Sequence, residues 1–433
     1  MHLKYRHTCR VCGNPHLTDV IDLGEQYLQG SFVKEGRPNP SVRKIPTRLV
    51  RCDVSKDENG CGLVQMSVTT PPSVLYRSYW YESSISATMR DHLAGIVAQV
   101  LAVRGQRPTN RVLEIAMNDG TLLRSYGDEV QKWGVDPSDI ASRVEMPNLT
   151  VVNDLFPPSK PLLERVPYHP DGLVQQIRFD AITSIAMFYD LEDPVAFCWA
   201  IKRHLAPDGL WVMELAYLPA TLKQVAYDAI VGEHLCFYSL ATLERVFGMA
   251  GLRCFRAEEN DINGGSIQCY VTHDDYTGFD RPEWTAGLNA IRAAEFDMAL
   301  DTDAPYDLFK SQVTVQRDAL VKLIRGIRAT GGRVHVLGAS TKGNTLLQFS
   351  GLDHTVIECA AERSPAKWGA KTLGTDIPIV SEEQSRAMKP AAYLVLPWHF
   401  KREINQREKS TVNDLGVKLI YPLPQIEVVE RVD

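Results

Sequence analysis

The stretch from Arg111 to Leu123, RVLEIAMNDGTLL, constrains the fold of this chain more than any other. Its apolar first half predicts a buried strand, which leads into the turn Asn118-Asp119-Gly120. We expect a helix from Thr121 to Lys132 after that turn, because Gly120 supplies the permissive backbone that the reversal needs. In open α/β sheets, ligands bind at the carboxyl ends of strands, beside such turns. The stretch therefore indicates either a nucleoside-binding turn or an ordinary strand–helix connection.

A second predicted strand, Trp133–Val135, ends in Asp136 and Pro137. An acidic side chain about twenty residues after the first turn can bind the two hydroxyls of a ribose. The first turn has no GxGxxG, which argues against a standard dinucleotide site. Asp136 is therefore expected either to bind a nucleoside or to be a solvated surface residue.

Strand and helix patterns alternate from Arg111 to about His273. Helices are predicted over Pro194–His204 and Leu240–Met249, and such alternation indicates a parallel sheet covered on both faces. The last two strands, Cys254–Ala257 and Ser266–His273, lie close together in sequence and suggest an antiparallel edge. We therefore expect an α/β fold.

Length and charge narrow the class of protein. A chain of 433 residues is too long for one core, so two or three domains are expected. The net charge of −6 argues against nucleic acid as a partner. No stretch reaches the ~20 apolar residues of a membrane span, and the N-terminus lacks the apolar core of a signal peptide. A cytoplasmic monomer or homodimer that does not bind membranes is expected.

Four cysteines stand in two pairs near the N-terminus: Cys9 with Cys12, and Cys52 with Cys61. Four thiolates suit tetrahedral Zn²⁺, and a closed Cys₄ site is structural rather than catalytic. The second pair is wider than usual, and we expect the polar segment Val54–Gly60 to loop out between its members. Four unrelated thiols, or a redox pair at Cys9 and Cys12, are the alternatives.

An aromatic cluster, Leu75–Tyr81, follows the cysteines and contains Tyr76 and Tyr79. Aromatic side chains with polar tips line ligand pockets in many proteins. They seal domain junctions equally well. Both interpretations of this cluster stay open from its sequence alone.

A second reactive motif is Glu233-His234, which precedes a Ser that can cap the helix Leu240–Met249. Histidine acts as a general base near neutral pH, and a neighbouring carboxylate can raise its basicity. A single histidine is also common as a hydrogen-bonded structural residue. The motif predicts either a general base or a structural residue of that kind.

The C-terminal third contains a second nucleotide-like turn. A long amphipathic helix, Leu308–Thr330, leads to a strand and the loop Gly338–Asn344, which carries Lys342. Strand, glycine loop and helix in this order bind phosphates or nucleotides, although the loop is not a Walker A sequence. Further strands are predicted at Thr355–Ala360, Ala392–Leu396 and Val417–Tyr421. Arg363 could pair with a phosphate and Trp398 could stack on a base.

Taken in order, the motifs are a Cys₄ knuckle, EIAMNDG, GEHLCFYSL, NGGSIQCYV and GASTKGN…AERSP…LPWHF. Over essentially the whole chain this order resembles the S-adenosylmethionine-dependent C-methyltransferases that act on nucleotide-linked keto-deoxysugars. The resemblance implies a zinc-binding domain at 1–70, a class I Rossmann-like methyltransferase domain at 71–300, and a Rossmann-like α/β domain at 301–433. The last domain would help to hold the nucleotide sugar, of TDP or GDP type.

The resemblance also implies roles for individual residues. His234 matches the catalytic base and Glu233 stands beside it, while Tyr76 and Tyr79 match aromatics that line the reaction cavity. The residues expected to contact S-adenosylmethionine are Glu114, Ala116, Asn118, Asp119, Gly120, Asp136, Pro137, Ser184, Ala186 and Met187. Those expected to hold the sugar nucleotide are Asn263, Gly264, Gly265, Ser340, Lys342, Asn344, Glu362, Arg363, Trp398 and His399. Structural zinc would be bound by Cys9, Cys12, Cys52 and Cys61.

Three departures from the family pattern bear on the chemistry. Ala116 and Met117 stand where the family usually has Gly and a small residue, and a larger side chain there can crowd the cofactor. Val231 and Gly232 precede Glu233, so a supporting Tyr or His is missing. Met187 stands near a position that often carries His.

The expected reaction is C-methylation. His234 would remove a proton next to the ketone, and the enolate carbon would attack the methyl group on sulfur. Two other functions fit the same pattern: a ketoreductase or bifunctional NADPH-dependent enzyme on the same sugar scaffold, and a non-catalytic binding protein. Consumption of NADPH would indicate the first, and absence of S-adenosylmethionine binding the second.

Overall fold

The computed structural model of the chain describes residues 3–37, 40–41, 43–75, 80, 82–165 and 174–433. Across these ranges, no helix combines the length and the apolar character needed to cross a membrane. Three sheets of four or more strands organise the described residues, and each is built mainly from one part of the chain.

The N-terminal part forms a small antiparallel sheet. Its elements are β1 (Lys4–Tyr5), β2 (Leu17–Gln26), β3 (Phe32–Val33), β4 (Ile45–Cys52), β5 (Val64–Met66), β6 (Val68–Thr69) and α1 (Pro72–Leu75). β4 lies between β2 and β5, and a two-residue strand from the middle of the chain, Cys236–Phe237, pairs with β5. This pairing fixes the N-terminal sheet against the segment that carries His234.

The central part contains a seven-stranded sheet. Its elements are α2 (Ala87–Arg104), β7 (Arg111–Ile115), β8 (Gln131–Val135), β9 (Leu149–Val152), β10 (Leu163–Arg165), β11 (Val174–Gln176), β12 (Phe179–Ile185), α3 (Pro194–His204), β13 (Leu205–Ala216), α4 (Leu218–Lys223), β14 (Cys236–Phe237), α5 (Leu240–Met249), β15 (Leu252–Asn260), β16 (Ser266–His273) and α6 (Pro282–Asp297). The strand order is β15-β16-β13-β12-β7-β8-β9, and β16 alone runs against the others. This is the class I methyltransferase arrangement that the resemblance implies. The order reverses between β7 and β12, which places a ligand crevice at their carboxyl ends.

One sequence prediction is wrong in this sheet: no helix runs from Thr121 to Lys132. A single 3₁₀ turn, Leu123–Ser125, replaces it. Lys132 is needed in β8, where it pairs with Val112 of β7, so the chain has to become extended by Gln131. The predicted antiparallel edge is confirmed, because β15 and β16 pair antiparallel at one edge of the sheet.

The C-terminal part has a six-stranded sheet. Its elements are α7 (Ala304–Ala329), β17 (Val334–Leu337), α8 (Thr341–Ser350), β18 (Ala360–Glu362), β19 (Lys371–Thr372), β20 (Ile379–Ser381), α9 (Glu382–Ala387), β21 (Ala392–Val395), α10 (Lys401–Arg407), α11 (Lys409–Asn413), β22 (Lys418–Tyr421) and β23 (Glu427–Val429). The order is β20-β18-β17-β21-β22-β23, and β23 alone is antiparallel. The strand predicted at Thr355–Ala360 starts only at Ala360, because Asp353 closes a turn with the backbone of Val356 and Ile357.

The N-terminal and C-terminal parts share one apolar core, to which Ile21, Leu49, Val336 and Leu346 all belong. Polar contacts reinforce this packing. Oε1 of Gln348 in α8 accepts a hydrogen bond from the backbone N–H of Tyr27 at 2.8 Å. Nδ2 of Asn344 donates to the carbonyl oxygen of Gln29 at 2.6 Å. Helix α8 is thereby held in place by the N-terminal part of the chain.

Candidate active site

A cavity of about 580 Å³ lies at the carboxyl edge of the central sheet, where the three parts of the chain meet. Its volume is in the range of sites for small organic ligands. Most of the site residues predicted from the sequence line it: Glu114, Ala116, Asn118, Asp136, Pro137, Ala186, Met187, Glu233, His234, Asn263, Ser340, Lys342, Glu362, Arg363 and His399.

Other predicted site residues are not among those that line the cavity. Ser184 Oγ accepts a hydrogen bond from Trp211 Nε1 at 2.9 Å in the core. Trp398 does not offer a free ring face for stacking, because it is buried and its Nε1 donates to Asp228 Oδ2 at 2.8 Å. The remaining members of this group are Asp119, Gly120, Gly264, Gly265 and Asn344. Tyr76 and Tyr79 fall outside the described residues.

The turn glycines among these residues serve packing. A Cβ atom on Gly120 would lie 2.8 Å from the Met146 side chain, and one on Gly265 would lie 2.5 Å from Ala220 Cβ. Both glycines also have positive φ angles, which other residues rarely adopt. Their contribution to the site is therefore the shape of the backbone rather than a contact with a ligand.

Asp136 lies at the end of β8, as predicted, and is held rigidly. Its Oδ2 accepts the backbone N–H of Asn118 at 2.9 Å, and its Oδ1 accepts that of Ser138 at 2.8 Å. Each carboxylate oxygen has a second lone pair, so a pair of ribose hydroxyls can still be bound. This geometry fits the nucleoside end of S-adenosylmethionine.

Glu114 provides a second indication of a ligand at the same edge. Its Oε2 is buried and has no hydrogen-bond partner among the described residues. Burial, and then the charges of Asp119 and Asp136, raise the pKa of Glu114 well above its usual value. Buried polar atoms are nearly always paired in folded proteins, so this carboxyl group is poised for a donor from a bound molecule.

Met117, one of the departures from the family pattern, lines the cavity but buries most of its side chain. Its side chain is only 2 % exposed and lies against Gly134, where an added Cβ would be 1.9 Å from the Met117 sulfur. Ala116 lines the cavity as well, with a φ of 60° that favours glycine. The absence of a side chain at Gly134 therefore leaves room for the Met117 sulfur beside the cavity.

His234 is oriented by the backbone and by an aromatic ring. Its Nδ1 lies 2.9 Å from the carbonyl oxygen of Ala229, and its ring centroid lies 4.2 Å from that of Tyr189. Burial and then the charge of Lys342 lower the pKa of His234 to about 3. The imidazole is therefore neutral over the physiological range, and its Nε2 can accept a proton.

Glu233 does not hydrogen-bond to His234 in the described structure. Its carboxylate sits over Gly30, where an added Cβ would lie 2.3 Å from Glu233 Oε1. Burial raises the pKa of Glu233 to about 7. The ring of His234 thus takes its orientation from Ala229 and Tyr189, and Glu233 is a separate cavity group that titrates near neutral pH.

A buried polar cluster from the C-terminal part faces His234. Lys342 Nζ donates to the carbonyl oxygen of Asn263 at 2.8 Å. Burial, and then the charge of Lys342, lower the pKa values of both His234 and His399. Burial lowers the pKa of Lys342 itself, and the charge of Asp228 opposes that shift. The ionisation states of these side chains around the cavity therefore depend on one another.

One carboxylate in the cavity wall, Glu214, is not indicated by any of the sequence motifs. Glu214, at the end of β13, is bound by His92 Nε2 at 2.7 Å and by Asn260 Nδ2 at 2.8 Å. Glu214 lines the cavity and is 2 % exposed. Its position at the carboxyl end of a parallel strand was the available signal, because that is where α/β sheets bind ligands.

The far end of the cavity is formed by the loop after β17. Ser340 Oγ caps α8 by accepting the N–H of Gly343 at 3.0 Å, and Glu362 Oε2 accepts that of Ala339 at 3.0 Å. Arg363 is 43 % exposed and reaches Glu403 at 3.4 Å. A helix start with a nearby arginine is suited to anionic groups such as phosphates.

The four N-terminal cysteines come together as a metal site. Their sulfur atoms all lie within 4.8 Å of one another, with Cys9 3.4 Å from Cys61 and Cys12 3.5 Å from Cys52. Tetrahedral zinc with Zn–S bonds of about 2.3 Å brings sulfurs to about 3.8 Å. The donor set fits structural Zn²⁺, and the segment between Cys52 and Cys61 forms the expected loop.

Three family models match the chain in succession. Residues 9–76 match a zinc binding domain, residues 86–256 a methyltransferase domain, and residues 261–424 a C-methyltransferase C-terminal domain. Together they follow the three parts of the fold.

A similar protein of known class is the C-methyltransferase NovU of Streptomyces niveus. It is 28 % identical over 97 % of this chain and 96 % of its own length. Solved structures of S-adenosylmethionine-dependent methyltransferases are more distant. One from Clostridium acetobutylicum is 14 % identical, covers 42 % of this chain and 92 % of its own, and has a TM-score of 0.32. Magnesium protoporphyrin IX methyltransferase of Synechocystis is 12 % identical, covers 42 % of this chain and 79 % of its own, and has a TM-score of 0.31.

Proposed function

We propose that this chain, whose three parts match a zinc binding domain, a methyltransferase domain and a C-methyltransferase C-terminal domain, uses S-adenosylmethionine to methylate a carbon next to the ketone of a nucleotide-linked 4-keto-deoxysugar. The observation that carries the proposal is the position of His234. A neutral imidazole with an available Nε2 faces the same cavity as Asp136 at one end and Ser340 and Arg363 at the other.

In this proposal, His234 starts the reaction. Its Nδ1–H is donated to Ala229, so the lone pair of Nε2 takes the proton from the carbon next to the ketone. The C–H electron pair moves into a carbon–carbon double bond, and the carbonyl electrons move onto oxygen. S-adenosylmethionine, when bound, would supply the electrophilic methyl group: as the enolate carbon bonds to it, the methyl–sulfur bond would break and S-adenosylhomocysteine would leave. General-base help of this kind is typically about 10²–10⁴-fold.

The rest of the cavity positions the two reactants. Asp136 and Glu114 hold the nucleoside and the amino acid portion at the end of the central sheet. The start of α8 and Arg363 hold the nucleotide diphosphate, and Asn263, which lines the same cavity, contacts the sugar. Holding both partners in one geometry contributes roughly 7–11 kcal/mol to lowering the barrier.

The proposal is tested by incubating the purified protein with S-adenosylmethionine and a panel of TDP- and GDP-linked 4-keto-deoxysugars. We expect S-adenosylhomocysteine and a sugar heavier by one methylene group, with no NADPH consumed. Methyl transfer only to acceptors without a ketone would contradict the proposed substrate class. NADPH-dependent reduction of the same sugars would support the reductase alternative instead.

A further inference from the structure

Lys342 is a lysine that faces the reaction cavity without an ion pair among the described residues. It is the second residue of α8, and its Nζ donates to the carbonyl oxygen of Asn263 at 2.8 Å. An ammonium group has three hydrogens to donate, so two remain for other acceptors. The side chain is thus anchored at one point while its charge remains available to a ligand.

The anchor for Lys342 is a tight turn. Asn263 adopts a φ of 54° within the turn Ile262–Gly264, a left-handed conformation that asparagine accepts more readily than other residues with a side chain. Gly264 in the same turn packs against Trp398, where an added Cβ would lie 3.0 Å from the ring. The turn is therefore fixed by packing between the central and C-terminal parts, and it directs a carbonyl group at Lys342.

The charge of Lys342 acts on both imidazoles of the cavity. After burial, which is the larger cause, this charge lowers the pKa of His234 and that of His399, so its field reaches the predicted base. Burial lowers the pKa of Lys342 itself, and the charge of Asp228 opposes that shift. Asp228 is the nearby counter-charge, but Asp228 already accepts a hydrogen bond from Trp398 Nε1 at 2.8 Å. A cation beside a general base makes that base weaker before the reaction begins. The same cation stabilises negative charge that develops on the substrate during the reaction.

We propose that Lys342 is a catalytic residue that donates to the ketone oxygen of the substrate and stabilises the enolate formed when His234 removes the neighbouring proton. This inference rests on the proposed function. As the C–H bond breaks, the proton moves to Nε2 of His234 and the carbonyl electron pair moves to oxygen, beside Lys342. Groups aimed at a developing oxyanion act in this way, and removal of one commonly lowers kcat about 10²–10³-fold.

Exchange of the substrate proton with deuterated water tests the proposal, because enolate formation can be followed without methyl transfer. The full-length protein is incubated with S-adenosylhomocysteine and the accepted keto sugar nucleotide, and loss of the proton is followed by NMR. We expect Lys342→Met and Lys342→Gln to slow exchange about 10²–10³-fold at saturating substrate, with KM changed by less than about threefold. Lys342→Gln keeps a hydrogen-bond donor toward Asn263, so this variant tests the proposal if Lys342→Met does not fold.

A matched control is Lys401→Met. Lys401 also belongs to the C-terminal part, but its Nζ pairs with Glu427 at 2.5 Å, outside the cavity. It should leave exchange unchanged. A large rise in KM with normal exchange at saturation in the Lys342 variants would overturn the proposal, because it would make Lys342 a phosphate ligand. Wild-type protein that exchanges no proton in any keto sugar would overturn the proposed function together with this inference.

Discussion

Nδ1 of His234 lies 2.9 Å from the carbonyl oxygen of Ala229. A carbonyl oxygen only accepts hydrogen bonds, so Nδ1 carries the hydrogen and Nε2 carries the lone pair. The contact therefore fixes the tautomer that a proton-abstracting base requires. Tyr189 packs against the ring and limits its rotation.

His234→Asn should lower turnover about 10²–10⁴-fold, because an amide does not accept the proton. Binding of S-adenosylhomocysteine should be unchanged, since Asp136 and Glu114 remain in place. Steady-state rates and calorimetric titration measure the two effects. His354→Asn, at an exposed position, is the control. Near-normal turnover in His234→Asn would mean that another group is the base.

Ala116→Gly should stabilise the protein. Ala116 has a φ of 60°, which costs a residue with a Cβ about 1–2 kcal/mol, while added freedom of the unfolded chain offsets about 0.4–1 kcal/mol. We expect the free energy of unfolding in denaturant to rise by roughly 0.5–1 kcal/mol. Ala102→Gly, on the exposed side of α2, should lower it by about 1 kcal/mol. Equal losses in both variants would show that the strain at Ala116 is absent.

The raised pKa of Glu233 predicts that the stability of the protein depends on pH. Burial raises its pKa from 4.5 to about 7, so between these values the folded protein holds a proton that the unfolded chain releases. Stability is therefore lost as the pH rises through this window. At about 1.36 kcal/mol per pH unit, the loss is roughly 3 kcal/mol at most.

Glu233→Gln removes this ionisation. The variant should be more stable than the wild type at pH 8 and should match it below pH 4.5, as measured by denaturant unfolding at both pH values. Glu58→Gln, at an exposed position, should show no such difference. A Glu233→Gln protein that is less stable at pH 8 would show that the carboxylate has a stabilising partner.

Cys12→Ser should abolish zinc binding, because a structural site needs all four thiolates. Metal content should fall from one zinc per chain to none, and the melting temperature should fall with it. Turnover should also decline, since the N-terminal part holds α8 through Tyr27 and Gln29. Cys198→Ala removes a buried thiol outside the cluster and should keep its zinc. Full zinc content in Cys12→Ser would refute the four-cysteine site.

The sequence was sufficient to predict the class of fold, because the positions of the main strands follow from apolar periodicity. The ligand edge was also predictable, since Asp136 and the Asn118–Gly120 turn mark strand ends. The helix at Thr121–Lys132 was not, because pairing between β7 and β8 overrides local preference there.

Contacts between distant residues were beyond the sequence as well. His92 and Glu214 are 122 positions apart in the sequence. The acceptor for His234 is a backbone carbonyl, which every residue has, so the sequence does not indicate it. Likewise, the space that Gly134 leaves for Met117 is visible only when two neighbouring strands are aligned. Such relationships depend on sheet register rather than on local pattern.

Methylation of the carbon next to the ketone is tested most directly by NMR of the product formed with ¹³C-methyl-labelled S-adenosylmethionine and a nucleotide-linked 4-keto-deoxysugar. We predict a labelled methyl group bonded to the carbon next to the ketone with the wild-type protein, and none with His234→Asn. A label found on oxygen would contradict C-methylation. A labelled carbon product formed at the same rate by His234→Asn would contradict the role of His234 as the base.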